Sequence, residues 1–309
     1  METFVAPTTR RRIDVTGDDR VRYLEDVSSQ HLEDLPVTHV RSALVLDGKG
    51  APSAMFDVVA LGDRLALLVP DEEVASTVTD VLGVRTFLLD ARFQARDDVV
   101  VAVRGDDAAS VISRAGLTVV EGRCRVAGDL LLVSVAGGID VAGPHGAVGE
   151  AVDGLIDAGA QRGTADDLEA WRVMAGVPAW GREVVAPHLP EEMGVLPTHV
   201  HLAKGCYPGQ EAVARMWMLG QPRRRLAIVR VDGEVVSGWT AGQGRNAYQV
   251  TTASPAGDAA LAFVPADASP GDSASGDGAT VTVSRVVGDD PVPPGHDPSV
   301  PRRRDRRSA

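Results

Sequence analysis

The sequence is short of the residues that mark many specialised chemistries. Of its 309 residues only two are cysteine, Cys124 and Cys206, and aromatic side chains make up 4%. Two cysteines are too few for a disulfide framework, so both thiols are expected to stay reduced in a cytosol and each has to be judged by its own surroundings. Positive charge is also in deficit. The 31 Lys and Arg face 43 Asp and Glu, a formal charge of −12, which repels phosphate backbones, so no direct nucleic-acid partner is expected. No apolar run approaches the roughly 20 residues of a membrane-spanning helix, and stretches such as 65–70 and 130–136 are only strand-length. Residues 1–14 lack the layout of a secretory signal, which predicts a cytoplasmic protein with no membrane partner. Gly48-Lys49-Gly50 and Gly242-Gln243-Gly244 have neither the Walker nor the dinucleotide spacing and read as turns.

What is present is an ordinary globular composition, 44% hydrophobic and 24% charged, in a chain too long for one hydrophobic core. Apolar and β-branched runs predict strands at 13–15, 42–46 and 53–61, with Asp47-Gly48 as the turn between the last two. Further strands are predicted at 64–69, 99–103, 118–120 and 130–135. Helical spacing predicts helices over 18–29, 71–82, 108–115 and 147–158. Thr164 with Asp167 has the form of a capping box opening a helix that Gly176-Val177-Pro178 ends. Beyond Pro222 the pattern is strands alone, at 225–231, 248–252, 259–264 and 280–286, which predicts a C-terminal β-barrel. Residues 268–279 read as a long solvated hairpin loop, and 288–309, with arginines at 302–304 and 306–307, as a disordered tail.

The stretch Lys204-Gly205-Cys206-Tyr207-Pro208-Gly209-Gln210-Glu211 carries the most chemistry. Two glycines and a proline bracket a cysteine that has an ammonium two residues before it. Such a turn exposes the thiol, its glycines allow close approach of a ligand, and Lys204 or a following helix N-terminus favours the thiolate, which is both nucleophile and soft metal ligand. The competing reading is a tight turn around a small buried hydrophobe.

Lys-Gly-Cys-Tyr-x-Gly-Gln-Glu resembles the signature of the YgfZ family of folate-binding proteins, and residues 204–211 match it throughout. Val213-Ala214-Arg215, Gly220-x-Pro222-x-Arg224-Arg225-Leu226, Glu169-x-x-Arg172, Gly176-x-Pro178 and Pro190-Glu191-Glu192-Met193-Gly194 resemble the family in order and spacing. Val15-Thr16-Gly17…Tyr23-Leu24 and Leu46-Asp47-x-x-Gly50 do so more weakly. The resemblance spans most of residues 12–287. It implies an α+β fold shared with the aminomethyltransferase (T-protein) of glycine cleavage: two mixed α/β portions and a C-terminal β-barrel around a central opening that admits tetrahydrofolate. The implied domains are a discontinuous central one of 1–46 and 119–212 carrying the thiol loop, a second of 47–118, and the barrel of 213–287.

The function implied is that of a folate-binding accessory protein for assembly or repair of iron–sulfur proteins, supporting tRNA modification indirectly. Cys206 would be the working thiol, and Lys204, Gly205, Tyr207, Gly209, Gln210, Glu211, Arg172 and Arg224 would surround the cofactor. Its partners would be a folate and iron–sulfur proteins or their assembly machinery. Two other readings stay open: a folate-dependent aminomethyltransferase and a non-catalytic folate-binding scaffold. One position departs from the pattern, because the family's glutamate after Arg172 is here Met174, which offers the pterin no carboxylate.

Other candidates read more plainly. His199 and His201 would share one side of a predicted strand, but their spacing to Cys206 matches no common zinc site, so no metal is expected. Arg172 has Glu169 one turn away as a possible ion-pair partner. Arg223-Arg224-Arg225 reads either as a solvated strand edge or as a lure for a folate's glutamate tail or an acidic partner. Cys124, between Arg123 and Arg125, reads as a packed strand cysteine.

Overall fold

A computed structural model of the protein describes residues 1–299. The terminal arginines at 302–307 lie outside the described residues. The chain divides into two compact units, one of Met1–Val27, His31–Ala43 and Ala54–Trp171, the other of Ser28–Gln30, Leu44–Ser53 and the chain from Arg172 onward.

The elements that lie wholly or mostly in the first unit are β1 (Phe4–Pro7), β2 (Arg11–Thr16), α1 (Arg20–Val27), β3 (Val40–Leu46), β4 (Pro52–Ala60), β5 (Leu65–Val69), α2 (Glu72–Thr77) with a π-helical continuation at Val78–Leu82, β6 (Arg92–Ala95) and β7 (Val99–Arg104). They continue with α3 (Ala108–Arg114), β8 (Cys124–Ala127), β9 (Leu130–Val135), β10 (Gly138–Gly143), α4 (His145–Asp157), β11 (Gln161–Arg162) and α5 (Ala165–Ala175). One sheet has six strands in the order β11-β1-β7-β10-β9-β8, and the other has five, β3-β4-β5-β2-β6. Every residue of β5 is apolar and buried, as a strand covered on both faces must be. On the six-stranded sheet Val103, Leu132 and Val141 pack with Val111 of α3 and Leu155 of α4. The capping box forms: Asp167 N donates to Thr164 Oγ1 at 3.2 Å and Thr164 N to Asp167 Oδ2 at 2.8 Å. α5 ends at Gly176, whose φ of +72° stops it in the left-handed conformation glycine favours.

The second unit adds α6 (Leu196–His199), α7 (Gln210–Leu219), β12 (Arg224–Asp232), β13 (Thr240–Ala241), β14 (Tyr248–Ala253), β15 (Ala259–Pro265), β16 (Ser273–Gly276) and β17 (Ala279–Val286). Its six strands run β13-β14-β15-β12-β17-β16. The sheet curls almost to closure, because Trp239 Nε1, next to edge strand β13, donates to Gly276 O on the opposite edge at 3.2 Å. The interior is filled by Val229, Val250, Ala262, Val264 and Val281, with Trp239 and Tyr248 over it. This is the expected α+β architecture with a C-terminal barrel.

Several local expectations are corrected. Residues 118–120 are not a strand. Gly116 and Gly122, at φ +72° and +69°, turn the chain on either side, and the strand forms later as β8, pairing Cys124 with Val133. The hairpin expected at 268–279 forms, but its loop is shorter, because Ser273–Gly276 is a strand. Asp277 and Gly278 both have positive φ, +46° and +78°, the two-residue turn that matches strand twist, so β16 pairs with β17 from Gly276↔Ala279 outward. His199 ends the short helix α6 and His201 follows in a loop, so the two do not alternate on a strand. Within the stretch expected to be a tail, residues 288–299 run in turns, with Pro294 O accepting from Leu202 N at 2.8 Å and His296 edge-on to Trp217 at 5.5 Å.

Candidate functional site

The thiol loop is assembled from three parts of the second unit. Ser28–Gln30 leave α1 as a polar run, yet Ser28 and Ser29 are 0% and Gln30 4% exposed. Buried polar groups need partners, and these find them on the segment before the loop. Ser29 Oγ donates to His199 O at 2.7 Å and accepts from Leu44 N at 3.0 Å, Ser29 O accepts from His201 N at 2.9 Å, and Gln30 Nε2 donates to Thr198 O at 3.1 Å. Lys204 then drives its side chain beneath the loop. Its Nζ donates to Ser28 O at 2.6 Å and Gln30 O at 3.2 Å and stands 5.1 Å from the centre of the Tyr207 ring. The structure thus gives Lys204 a different part from the expected ligand contact: it is a buried peg, 6% exposed.

The second part is the turn after Leu46, where Asp47 Oδ1 accepts from Lys49 N at 2.8 Å and Ala51 N at 2.9 Å. It meets the third part at Gly209. That residue caps α7 with φ +80°, and a Cβ there would lie 2.6 Å from Asp47 O and 2.9 Å from Gly50 Cα. Gly50, at φ +85°, would meet Leu189 Cδ2 at 2.8 Å. Two motifs far apart in the chain therefore close on each other through glycines. Gly205 differs: its φ is not in the left-handed region and a Cβ would enter open space, so glycine is required at position 209 and not here.

The result is a loop pinned on both sides with Cys206 exposed at its crest. Tyr207 turns inward, and burial pushes its phenol up to about 12. Gln210 and Glu211 open α7, where Glu211 is exposed and pairs with Arg215 at 2.9 Å. Cys124 is the opposite case, buried in β8 with its Sγ 4.0 Å from Ala60 O, and burial raises its pKa.

Arg172 and Arg224 belong to other networks. Arg172 is buried, and its Nη1 pairs with Glu183 Oε2 at 2.8 Å and reaches Val177 O at 2.7 Å, while Nη2 donates to Thr252 Oγ1 at 3.1 Å. Sequence reasoning missed Glu183, the centre of this network. It is 0% exposed, and beside Arg172 it accepts from Ala179 N at 3.0 Å, Thr251 Oγ1 at 2.7 Å and Thr252 Oγ1 at 2.6 Å. Those four donors occupy the roughly four lone-pair positions of a carboxylate. Arg224 donates to Gln249 Oε1 at 3.0 Å and lies 5.9 Å from the Phe263 ring. Arg225, on the other face of the strand, is buried and ion-paired with Asp289.

The fit of a pterin can be judged at the end of α5. Met174 is 52% exposed and presents a thioether, and Glu183, the next carboxylate along the chain after it, has its acceptor positions filled. The residues at this point do not fit the carboxylate clamp that the family resemblance leads one to expect. Among the described residues no cluster of three or more His, Cys, Asp or Glu is arranged to hold a metal ion, and no helix is long and apolar enough to cross a membrane.

No family model matches the chain. Among solved structures it is similar to the glycine cleavage system aminomethyltransferase T from Bartonella henselae, with a TM-score of 0.76 and 17% identity over 92% of this chain and 85% of that one. A likeness to the heterotetrameric sarcosine oxidase from Corynebacterium sp. U-96 covers 50% of this chain and 83% of that chain, with 17% identity and a TM-score of 0.34. The chain has the aminomethyltransferase fold.

Proposed function

We propose that the protein is a YgfZ-type accessory factor that binds a folate and serves the assembly or repair of iron–sulfur proteins, with Cys206 as its working thiol and tRNA modification as an indirect beneficiary. The observation that carries this reading is the presentation of Cys206. A free thiol stands exposed at the crest of a loop fastened by Lys204 below and by the Gly209–Gly50 contact behind, inside the 204–211 signature and on an aminomethyltransferase fold. A rigidly offered thiol suits transfer or capture of a soft metal or sulfur species, since the thiolate is both nucleophile and ligand. Gln210 and Glu211 continue the loop into α7 toward a ligand, while Lys204, the inward-turned Tyr207 and Gly209 hold the loop in place, and Arg172 and Arg224 stand in networks of their own.

The test separates thiol from fold. In cells lacking the native protein, Cys206→Ala should fold normally and fail to restore the activity of an iron–sulfur enzyme, and full restoration would remove the role assigned to the thiol. Folate is tested independently by calorimetric titration with tetrahydrofolate. Because Met174 withdraws the expected carboxylate, an affinity weaker than about 1 mM, near −4 kcal/mol, would remove the cofactor while leaving the thiol reading in place.

The fold likeness favours a second reading, a folate-dependent aminomethyltransferase. Incubation with an aminomethylated carrier protein and tetrahydrofolate distinguishes it: rapid ammonia release supports the transferase, and its absence supports the accessory factor.

A further inference from the structure

The barrel carries a second concave site that the thiol chemistry does not use. A cavity of about 370 Å³ is lined by Arg223, Arg224, Gly244, Arg245 and Ala247, a volume suited to a small molecule. The pairing of the sheet brings these residues together. Arg224 begins β12 opposite Pro265 of β15, and β15 pairs on its other side with β14, whose start follows the turn Gly244–Asn246 that carries Arg245. Within the run 223–225, Arg224 and Arg225 take opposite faces of β12 and Arg225 turns inward to Asp289, whereas Arg223 precedes the strand; Arg223 and Arg224 line the cavity.

The lining holds three guanidiniums and no carboxylate. Arg224 places one nitrogen on Gln249 Oε1, a neutral acceptor that leaves its charge uncompensated. The guanidiniums of Arg223 and Arg245 have no hydrogen-bond or ion-pair partner among the described residues. In a chain of net charge −12, three arginines lining one cavity oppose the prevailing field, and the Glu192 carboxylate that meets this run accepts from the backbone N of Arg223 at 3.1 Å. Arginine forks recognise planar or tetrahedral oxyanions through paired N–H donors.

We propose that this cavity is a binding site for a multiply charged oxyanion, one with two or more adjacent carboxylate or phosphate groups. The chemistry is shared by two sources, an oligo-γ-glutamate chain and a phosphate ester. Gly244 and Ala247, the other two lining residues, bring no bulky side chain. The site is independent of Met174 and of Cys206.

The experiment is calorimetric titration of the full chain, in low salt, with inorganic pyrophosphate and separately with tri-γ-glutamate. Neither probe contains a pterin, so the result stands whether or not tetrahydrofolate binds. Saturable one-to-one binding of either probe is expected, and the tighter one identifies the source. Arg245→Gln and Arg223→Gln, both at exposed positions, should each weaken binding by about tenfold or more with an unchanged thermal melt. Absence of saturable binding of both probes, or binding that the Arg223→Gln/Arg245→Gln double variant leaves unchanged, would overturn the proposal.

Discussion

Lys204 Nζ donates a 2.6 Å hydrogen bond to the carbonyl of Ser28, a residue 176 positions earlier in the chain. The bond crosses from the thiol loop to the polar segment beneath it, and its donor is nearly excluded from water. Replacing Lys204 by Met removes the charge and leaves the Ser28 and Gln30 carbonyls without it. Hydrogen bonds to charged groups are worth about 1.5–3 kcal/mol, so Lys204→Met should lose roughly 2–4 kcal/mol of stability by urea unfolding. A lysine that served only to touch a ligand would leave stability within about 0.5 kcal/mol, so the same measurement separates a positioning part from a binding one.

Tyr207 gives a pH signature. Its folded pKa is raised by burial to about 12, above the ordinary value near 10. The stability tied to the neutral phenol is therefore fully present below pH 10 and is lost as the pH rises from 10 through 12. Tyr207→Phe has no phenol to ionise. Its unfolding midpoint should decline less steeply over that window, and the tyrosinate absorbance lost relative to the parent should rise near pH 12. Tyr23 and Tyr248, also raised chiefly by burial, remain as the internal background.

Glu183 joins the end of α5 to the barrel strand β14 within the second unit. Glu183→Gln keeps the shape but removes the charge that Arg172 faces and replaces one acceptor oxygen with a donor. Breaking one side of a buried pair costs about 3–5 kcal/mol, so this variant should unfold at markedly lower denaturant. Thr251→Ala removes one neutral donor from the same carboxylate and should cost only about 1 kcal/mol.

The elements legible in the sequence were those whose signal is local. The alternation in β14, the all-apolar β15 and the Thr164–Asp167 box depend on neighbours a few residues away, and each formed where the pattern placed it. The turn that carries the thiol was equally legible, because Gly209 and Pro208 force one wherever the loop lies, but its exposure was not, since the same residues fit a tight turn around a small buried hydrophobe. What escaped were partnerships across long separations. Ser28, Ser29 and Gln30 look like the polar end of a helix, and it is distant partners, Leu44 and the segment from Thr198 to Lys204, that let them be buried. Glu183 sits among Arg182 and Val184 with no motif around it, and its four donors come from three separate stretches. Lys204 was noticed for its charge beside the cysteine, whereas its carbonyl partners lie in another part of the chain.

The two glycines of the thiol loop should therefore answer differently to the same substitution. At Gly209 an alanine meets both obstacles at once: a left-handed φ of +80° and a Cβ 2.6 Å from the Asp47 carbonyl, which is backbone and cannot swing aside. Strained positive φ costs on the order of 1 kcal/mol or more for a side-chain-bearing residue, and the clash adds displacement of the Asp47 turn, so Gly209→Ala should lose about 2–4 kcal/mol. At Gly205 the same methyl enters open space with no such strain, and removing glycine's freedom from the unfolded chain works in its favour by a few tenths of a kcal/mol to about 1. Gly205→Ala should hold or gain stability in thermal melts. Alkylation of Cys206 then reads the loop itself: unchanged native rates in Gly205→Ala and altered rates in Gly209→Ala place the hold on the thiol at the Gly209–Gly50 contact, and equal rates in both would place it elsewhere.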